Sequence, residues 1–297
     1  MKAVRISPDE TVPALGQGTW NMGDEAKKRK DEIASIRRGI ELGLTVIDTA
    51  EMYGSGRSES LVGEAINGLR DEVFLVTKVL PYNASHKGTI AACEMSLKRL
   101  GTDRLDLFLL HWPGSYPLEE TVSAFEELQR AGKIRYWGVS NFDPMEMAAL
   151  SSVKGGDKVA ANQVLYNLTR RGIEWDLLPS AEKHGLPTMA YSSIEQARLL
   201  ADTELQELAA DLGLTASQLA LAWVLRRKQL IAIPKASKVA HLEENAKAAE
   251  IELSAETLQT LDALFRRRRV RLDLKSSDSA RGGQSFLSQP PRAVCCQ

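Results

Sequence analysis

Cysteine is nearly absent from this chain. Three occur in 297 residues: Cys93 inside a helix-like stretch, and Cys295 and Cys296 near the end. That is no disulfide framework, and it fits a reducing compartment, so a cytoplasmic location is expected. Histidine is almost as scarce. His86, His111, His184 and His241 show no H-x-H or other ligand spacing, so no metal site is expected. No apolar run approaches the roughly 18 residues of a membrane span. The start, Met1-Lys2-Ala3-Val4-Arg5, lacks a signal-peptide core. A net charge of −1 gives no field that would draw in nucleic acid or an acidic membrane, and neither is expected as a partner. No Ser sits in a G-x-S-x-G elbow, so a nucleophilic triad is unsupported. What remains is an ordinary apolar content of 43%, ample for a core. The length suits one large α/β domain or two ordinary ones.

The chain is organised around Leu44-Thr45-Val46-Ile47-Asp48-Thr49-Ala50-Glu51-Met52-Tyr53-Gly54. Val46 and Ile47 read as a buried strand that delivers Asp48 at its end, and Tyr53 follows in a Gly-rich loop. Val73 to Thr77 ends in the same way on Lys78, and Leu107 to Leu110 on His111. In sheets and barrels of parallel strands, that end is where ligands bind. An acid, a phenol, an amine and an imidazole meeting there can move protons.

In chain order, residues 2–12 predict a hairpin turning at Pro8-Asp9-Glu10, and 13–20 a first strand weakened by its glycines. Ile33, Ile36, Ile40 and Leu44 mark an amphipathic helix from Asp31, with Gly43 near its end. Further apolar stripes run through Leu61, Val62, Ala65, Ile66 and Leu69, then Ile90, Cys93, Leu97 and Leu100, then Val122, Phe125 and Leu128. Strands are predicted at 134–139, 159–164, 188–191 and 230–233. Helices are predicted from Pro144, over 177–183, up to Gly213, and from the capping-box pattern Thr215-Ala216-Ser217-Gln218. Eight strands alternating with helices at intervals of about 30 residues predict an α/β protein of the (β/α)8 TIM-barrel class, preceded by a short hairpin. An open doubly wound sheet is the competing architecture, but Gly16-Gln17-Gly18-Thr19-Trp20-Asn21 lacks the third glycine of its dinucleotide-binding turn.

Composition breaks after Phe265. Residues 266–297 hold eight Lys or Arg against two Asp, a net +6, while 1–265 hold 30 against 37, a net −7. The division predicted is therefore a barrel over 1–265 and a basic, low-complexity, disordered tail over 266–297.

Taken singly, Asp48 could cap a loop, Tyr53 be a half-buried loop tyrosine, Lys78 a snorkelling amine and His111 a core imidazole. Together, on three successive strands facing one mouth, they point to a site. A Schiff-base aldolase using Lys78 remains a reading of these residues, as does a barrel that senses a nucleotide without turnover.

Asp48-x4-Tyr53, Lys78 and His111 resemble the catalytic tetrad of the aldo-keto reductases. Residues 13–265 are similar to that family nearly throughout. The likeness includes Gly43 to Ala50, Leu109-Leu110-His111-Trp112-Pro113, Gly138-Val139-Ser140-Asn141-Phe142 and Ile233-Pro234-Lys235. The resemblance implies hydride transfer from NADPH to the carbonyl of an aldehyde or ketone, in particular 2-oxoaldehydes such as methylglyoxal and sugar-derived carbonyls, by a monomeric enzyme. Tyr53 would be the general acid, Lys78 held by Asp48 would lower its pKa, and His111 would polarise the carbonyl. Thr19, Ser140, Asn141, Gln163 and Tyr191 would hold the nicotinamide end of the cofactor. Lys235, Ser237, His241, Glu244 and Asn245 would hold the adenosine and 2′-phosphate end, and Trp20 and Trp112 would wall the substrate mouth. Many members read Lys-Ser, with Arg six residues after the Lys, where this chain has Lys235-Ala236-Ser237 and His241. NADPH is therefore expected to be preferred by a reduced margin, with NADH possible. The family's carboxyl-terminal substrate contacts do not carry over, because Arg266 onward departs from its pattern.

Overall fold

The structure, a computed structural model, describes residues 1–266. The predicted disorder of the tail falls, beyond Arg266, outside the described residues. The hairpin is present as β1 (Ala3–Ser7) and β2 (Glu10–Pro13), paired antiparallel with Val4 opposite Val12. Eight parallel strands follow: β3 (Gln17–Gly18), β4 (Val46–Asp48), β5 (Phe74–Val79), β6 (Leu105–Leu110), β7 (Ile134–Ser140), β8 (Asn162–Leu165), β9 (Thr188–Tyr191) and β10 (Leu230–Ala232). They lie side by side in chain order, as right-handed crossovers through helices require.

The two edges of this sheet meet. Ala232 N donates to Ala14 O and Gly16 N to Ala232 O, both at 2.8 Å, and Gly18 N to Pro234 O at 3.0 Å. The sheet is therefore a closed barrel with no free edge. Around it run α1 (Arg29–Glu41), α2 (Arg57–Ala65), α3 (His86–Leu100), α4 (Leu118–Arg130), α5 (Pro144–Ser152), α6 (Leu177–His184), α7 (Thr203–Asp211), α8 (Ala216–Leu225), α9 (Val239–Lys247) and α10 (Ala255–Leu264). Among the described residues no single helix is long and apolar enough to cross a membrane.

Strand periodicity sorts the side chains. Val46, Val76, Leu107 and Leu109 share a buried cluster with Val4 and Val12 of the hairpin, which plugs the barrel at the starts of the strands. Their chain neighbours Ile47, Leu75, Phe108 and Leu110 turn the other way, packing on Ile36, Leu61, Leu97 and Phe125 of α1 to α4. Because successive side chains alternate faces, Asp48, Lys78 and His111 lie two residues beyond Val46, Val76 and Leu109 and so continue the interior face.

The first strand is shorter than the expected 13–20, and its glycines explain why. A Cβ on Gly16 would fall 2.7 Å from Val46 O, and one on Gly18 2.6 Å from Ile233 O. The strand that closes the barrel is thus squeezed between backbones on both sides, and glycine there is a packing requirement. The helix predicted through Leu44 ends at Glu41. Gly43, at φ +83°, reverses the chain, and Leu44 is buried on the approach to β4. Ile66 and Leu69 fall just past the end of α2, and β8 begins at Asn162 rather than Val159. The predicted capping box is observed: Thr215 Oγ1 accepts from Gln218 N, and Gln218 Oε1 from Thr215 N.

Gly18→Ala should destabilise the barrel by about 1–3 kcal/mol, the usual cost of forcing an extra methyl group into a full interior. The readout is the thermal midpoint by circular dichroism. An unchanged midpoint would mean that the Ile233 backbone yields and that the closure is looser than described.

Candidate active site

Asp48, Lys78 and His111 converge because β4, β5 and β6 are neighbours in register, with Asp48 paired to Val76 and Lys78 to Leu109. Lys78 is completely buried. Its ammonium donates to Asp48 Oδ2 and Thr49 O, both at 2.8 Å, and to Tyr53 Oη at 3.2 Å. Three donors thus meet three acceptors, which is what makes a buried cation tolerable. Asp48 is completed from across the barrel, where Gln163 Nε2 donates to Oδ1 at 2.7 Å. Thr19 Oγ1 donates to Asp48 O at 2.9 Å. The Tyr53 ring stands edge-on to His111, with centroids 5.9 Å apart, and His111 lies 4.8 Å from Trp112.

Burial pushes the Lys78 pKa down, but the charge of Asp48 and the contact with Tyr53 outweigh it, leaving the pKa above the ordinary amine value. Lys78 is therefore a permanent cation at neutral pH. Tyr53 departs from the sequence expectation. Lys78 does act to lower its pKa, but loss of water at its buried hydroxyl end is the larger effect, and Asp48 adds to it. The net shift is upward, so the phenol carries its proton at neutral pH. His111 is held well below the ordinary imidazole range, first by burial and then by the Lys78 charge, and is neutral. Its Nδ1 is buried without a hydrogen-bond partner among the described residues. The site therefore combines a fixed cation, a protonated phenol and a neutral imidazole. Such a set can give a proton to an oxygen arriving at the mouth and stabilise the charge left behind.

On the far side of the mouth, Asn141 sits at φ +60°, a left-handed conformation that asparagine tolerates. Its Nδ2 donates to His111 O at 3.0 Å and to Ser140 Oγ at 3.1 Å, and its Oδ1 accepts from Tyr191 Oη at 2.9 Å. Ser140, Asn141, Gln163 and Tyr191 thus form one connected rim beside the tetrad. Lys235 follows β10, and among the described residues it has no carboxylate within ion-pair distance. Next to it the Ser237 hydroxyl is buried without a hydrogen-bond partner among the described residues. A cation and an orphaned donor beside the open end of the barrel suit a phosphate. His241 lies exposed in the first turn of α9. Glu244 accepts from Thr215 Oγ1 at 2.6 Å and Asn245 from Ser217 Oγ at 2.8 Å, so both also tie α9 to the start of α8.

Trp20 is exposed and Trp112 half-buried at this end of the barrel. The structure adds Met52, Tyr82 and Tyr116, exposed on the loops after β4, β5 and β6, which the sequence reading did not single out. It also adds Ser58 and Glu59, fully buried polar side chains in the first turn of α2. Their one signal in the sequence was two polar residues placed where an apolar stripe begins.

The neutral His111 has a consequence for stability. Its folded pKa is depressed, so its contribution is complete above the unfolded value of about 6.5 and is lost as pH falls. The unfolding free energy of the wild type minus that of His111→Gln should therefore shrink by up to about 1.4 kcal/mol per pH unit below about 6.5. Urea titrations between pH 5 and 8 read this directly, and parallel profiles for the two proteins would refute it.

Residues 14–266 match the Aldo/keto reductase family. Methylglyoxal reductase YeaE of Escherichia coli (strain K12) is 51% identical over 269 residues, spanning 89% of this chain and 95% of that protein. Glyoxal reductase of Bacillus subtilis (strain 168) is 34% identical over 275 residues, spanning 90% of this chain and 94% of that protein. A crystal structure of an aldo/keto reductase from Klebsiella pneumoniae, in complex with NADP and acetate, superposes with a TM-score of 0.89 at 49% identity, covering 92% of this chain and 98% of that one. With its closed barrel and its Asp48, Tyr53, Lys78 and His111 constellation, this chain belongs to the aldo/keto reductase family.

Proposed function

We propose that this chain is an NADPH-dependent reductase of aldehydes and some ketones, with 2-oxoaldehydes such as methylglyoxal as favoured substrates. The observation that carries the chemistry is the Lys78 ammonium, fully buried and bridging Asp48 Oδ2 and Tyr53 Oη. The substrate class is supported by the methylglyoxal and glyoxal reductases that resemble it over most of their length.

NADPH, when bound, supplies the hydride for the carbonyl carbon. Tyr53 gives its proton to the carbonyl oxygen. A phenol with a raised pKa is a weak acid, so the work lies in stabilising the phenolate as it forms. Lys78, 3.2 Å from that oxygen, does so at the moment charge develops. Asp48 keeps Lys78 charged, and Gln163 keeps Asp48 in place. Neutral His111 offers a ring N–H to the carbonyl oxygen, and as a neutral donor it does not compete with Tyr53 as the acid. Ser140, Asn141 and Gln163 would hold the nicotinamide carboxamide, with Thr19 and Tyr191 as further contacts for that end of the cofactor. Lys235, Ser237 and His241 would take the 2′-phosphate, and Glu244 and Asn245 the adenosine. The aldolase reading is disfavoured by the same geometry. A Schiff-base lysine needs a free lone pair and a depressed pKa, whereas Lys78 is saturated by three acceptors with its pKa raised.

Tyr53→Phe should lower aldehyde turnover by roughly 10²- to 10⁴-fold while NADPH still binds. Cofactor fluorescence titration beside NADPH-consumption assays measures both. Near-normal turnover would remove Tyr53 as the acid, and NADPH binding without turnover in the wild type would favour the sensor reading.

His241→Arg should tighten NADPH several-fold, on the order of 1 kcal/mol for an added charge-assisted contact, and leave NADH unchanged. Dissociation constants for both cofactors decide it. Equal NADPH affinity in the two proteins would place His241 away from the phosphate.

A further inference from the structure

Tyr53 is presented by a turn whose backbone is left-handed at three successive residues: Gly54 at φ +55°, Ser55 at φ +54° and Gly56 at φ +89°. A non-glycine residue in that region is strained and persists only when its surroundings impose it. The surroundings are the first turn of α2, which begins at Arg57. Ser58 Oγ lies 2.8 Å from Thr19 Oγ1 and 3.1 Å from Thr49 Oγ1, fastening the turn to the ends of β3 and β4. Glu59 fastens it to β5: its Oε1 accepts from Thr77 Oγ1 at 2.7 Å, one residue before Lys78.

The other oxygen of Glu59 faces away from the barrel, toward α3, where Oε2 accepts from Arg99 Nε at 2.5 Å. Arg99 is itself steadied by Ser96, with Nη2 3.2 Å from its Oγ. The Arg99 stem also lies on the turn, so close that a Cβ on Gly56 would fall 2.4 Å from Arg99 Cδ. Arg99 therefore touches both the buried carboxylate and the left-handed residue that ends the turn. A buried ion pair is often no more stable than well-packed apolar side chains of similar volume, so packing alone does not account for this arrangement. The Tyr53 hydroxyl is 3.2 Å from Lys78 Nζ, at the long end of hydrogen-bonding range. A displacement of a few tenths of an ångström in the turn would break that contact.

We infer that Glu59 and Arg99 are positioning residues for the reaction: Arg99, clamped on Glu59, bears on Gly56 and keeps the Tyr53 hydroxyl within reach of the Lys78 ammonium. The inference rests on the reading of Tyr53 as the proton donor. Neither residue touches substrate or cofactor. Without the clamp, the turn relaxes and Tyr53 loses the charge that stabilises its phenolate. The charged and titratable groups facing Tyr53 are Lys78, Asp48 and His111, so the effect passes through the first of these.

The test compares Arg99→Ala, Arg99→Lys and Glu59→Gln with Tyr53→Phe. A control, Arg29→Ala, removes the ion pair of Arg29 with Glu64 at the opposite end of α2. Arg99→Ala and Glu59→Gln should lower kcat for aldehyde reduction about ten- to a hundred-fold, the scale of a misplaced reacting group. The aldehyde KM and the NADPH dissociation constant should stay within about two-fold, and the alkaline limb of the kcat/KM profile should move to higher pH as Tyr53 loses the influence of Lys78. Arg99→Lys, which keeps the charge and one donor, should recover most of the loss, and Arg29→Ala should match wild type. Should Arg99→Ala fail to fold, Glu59→Gln carries the test, because it keeps the side-chain shape and the acceptor for Thr77. A folded variant with kcat within two-fold of wild type and an unmoved alkaline limb, beside an inactive Tyr53→Phe, would overturn the positioning role and leave Tyr53 as the acid. Turnover by Tyr53→Phe would overturn both.

Discussion

A lysine with no exposed surface, held as a cation inside a protein, is the constraint on which this structure turns. Removing an ammonium from water costs several kcal/mol even after relaxation, and the chain offsets this with a full set of acceptors around Lys78. Asp48, Thr49 and Tyr53 supply them, all from one strand and the loop that follows it. Asp48 in turn needs a donor of its own, and Gln163 reaches across the barrel from β8 to provide it. Interior-facing positions on β4, β5 and β8 are therefore committed to one electrostatic object, and the barrel must close around it with little tolerance.

The closure shows the same economy. β3 is wedged between β4 and β10 by glycines that leave no room for side chains, which brings Thr19 to the Asp48 carbonyl and sets Trp20 at the mouth. The mouth is then divided by chemistry. Trp20, Met52, Tyr82 and Tyr116 stand exposed over β3 to β6, while Lys235 and Ser237 follow β10. An apolar wall on one side and a cationic, hydrogen-bonding wall on the other suit a small carbonyl compound meeting a phosphate-bearing cofactor above the tetrad.

Much of this was legible in the chain. Asp48, Lys78 and His111 each end a short β-branched or leucine-rich run, and a period of two puts them on the interior face once Val46, Val76 and Leu109 are assigned there. Thr215 and Gln218 marked a helix start by local hydrogen bonding alone, and the structure agrees. The boundaries that moved were those set by packing: Leu44 continues the helical stripe of α1 in sequence yet leaves the helix after the left-handed Gly43, and the first strand is cut to Gln17–Gly18 where its neighbours crowd the backbone. The roles of Glu59 and Arg99 were not legible. Forty residues separate the two, and nothing in the local pattern of either α2 or α3 says that a buried glutamate in one will find its arginine in the other.

The sequence by itself determined the class of fold and which ionisable side chains stand at the ends of its strands. Strand and helix periodicities are local, and a side chain's chemistry is carried by its own atoms. Tertiary structure alone decided the electrostatic states of those groups. The ordinary reading of a tyrosine beside a lysine is a lowered pKa, but the buried hydroxyl of Tyr53 loses more from missing water than it gains from Lys78, and so its pKa is raised instead. Desolvation and the distances between charges depend on how far the barrel excludes water and where its strands fall in register, and these are properties of the packed chain as a whole.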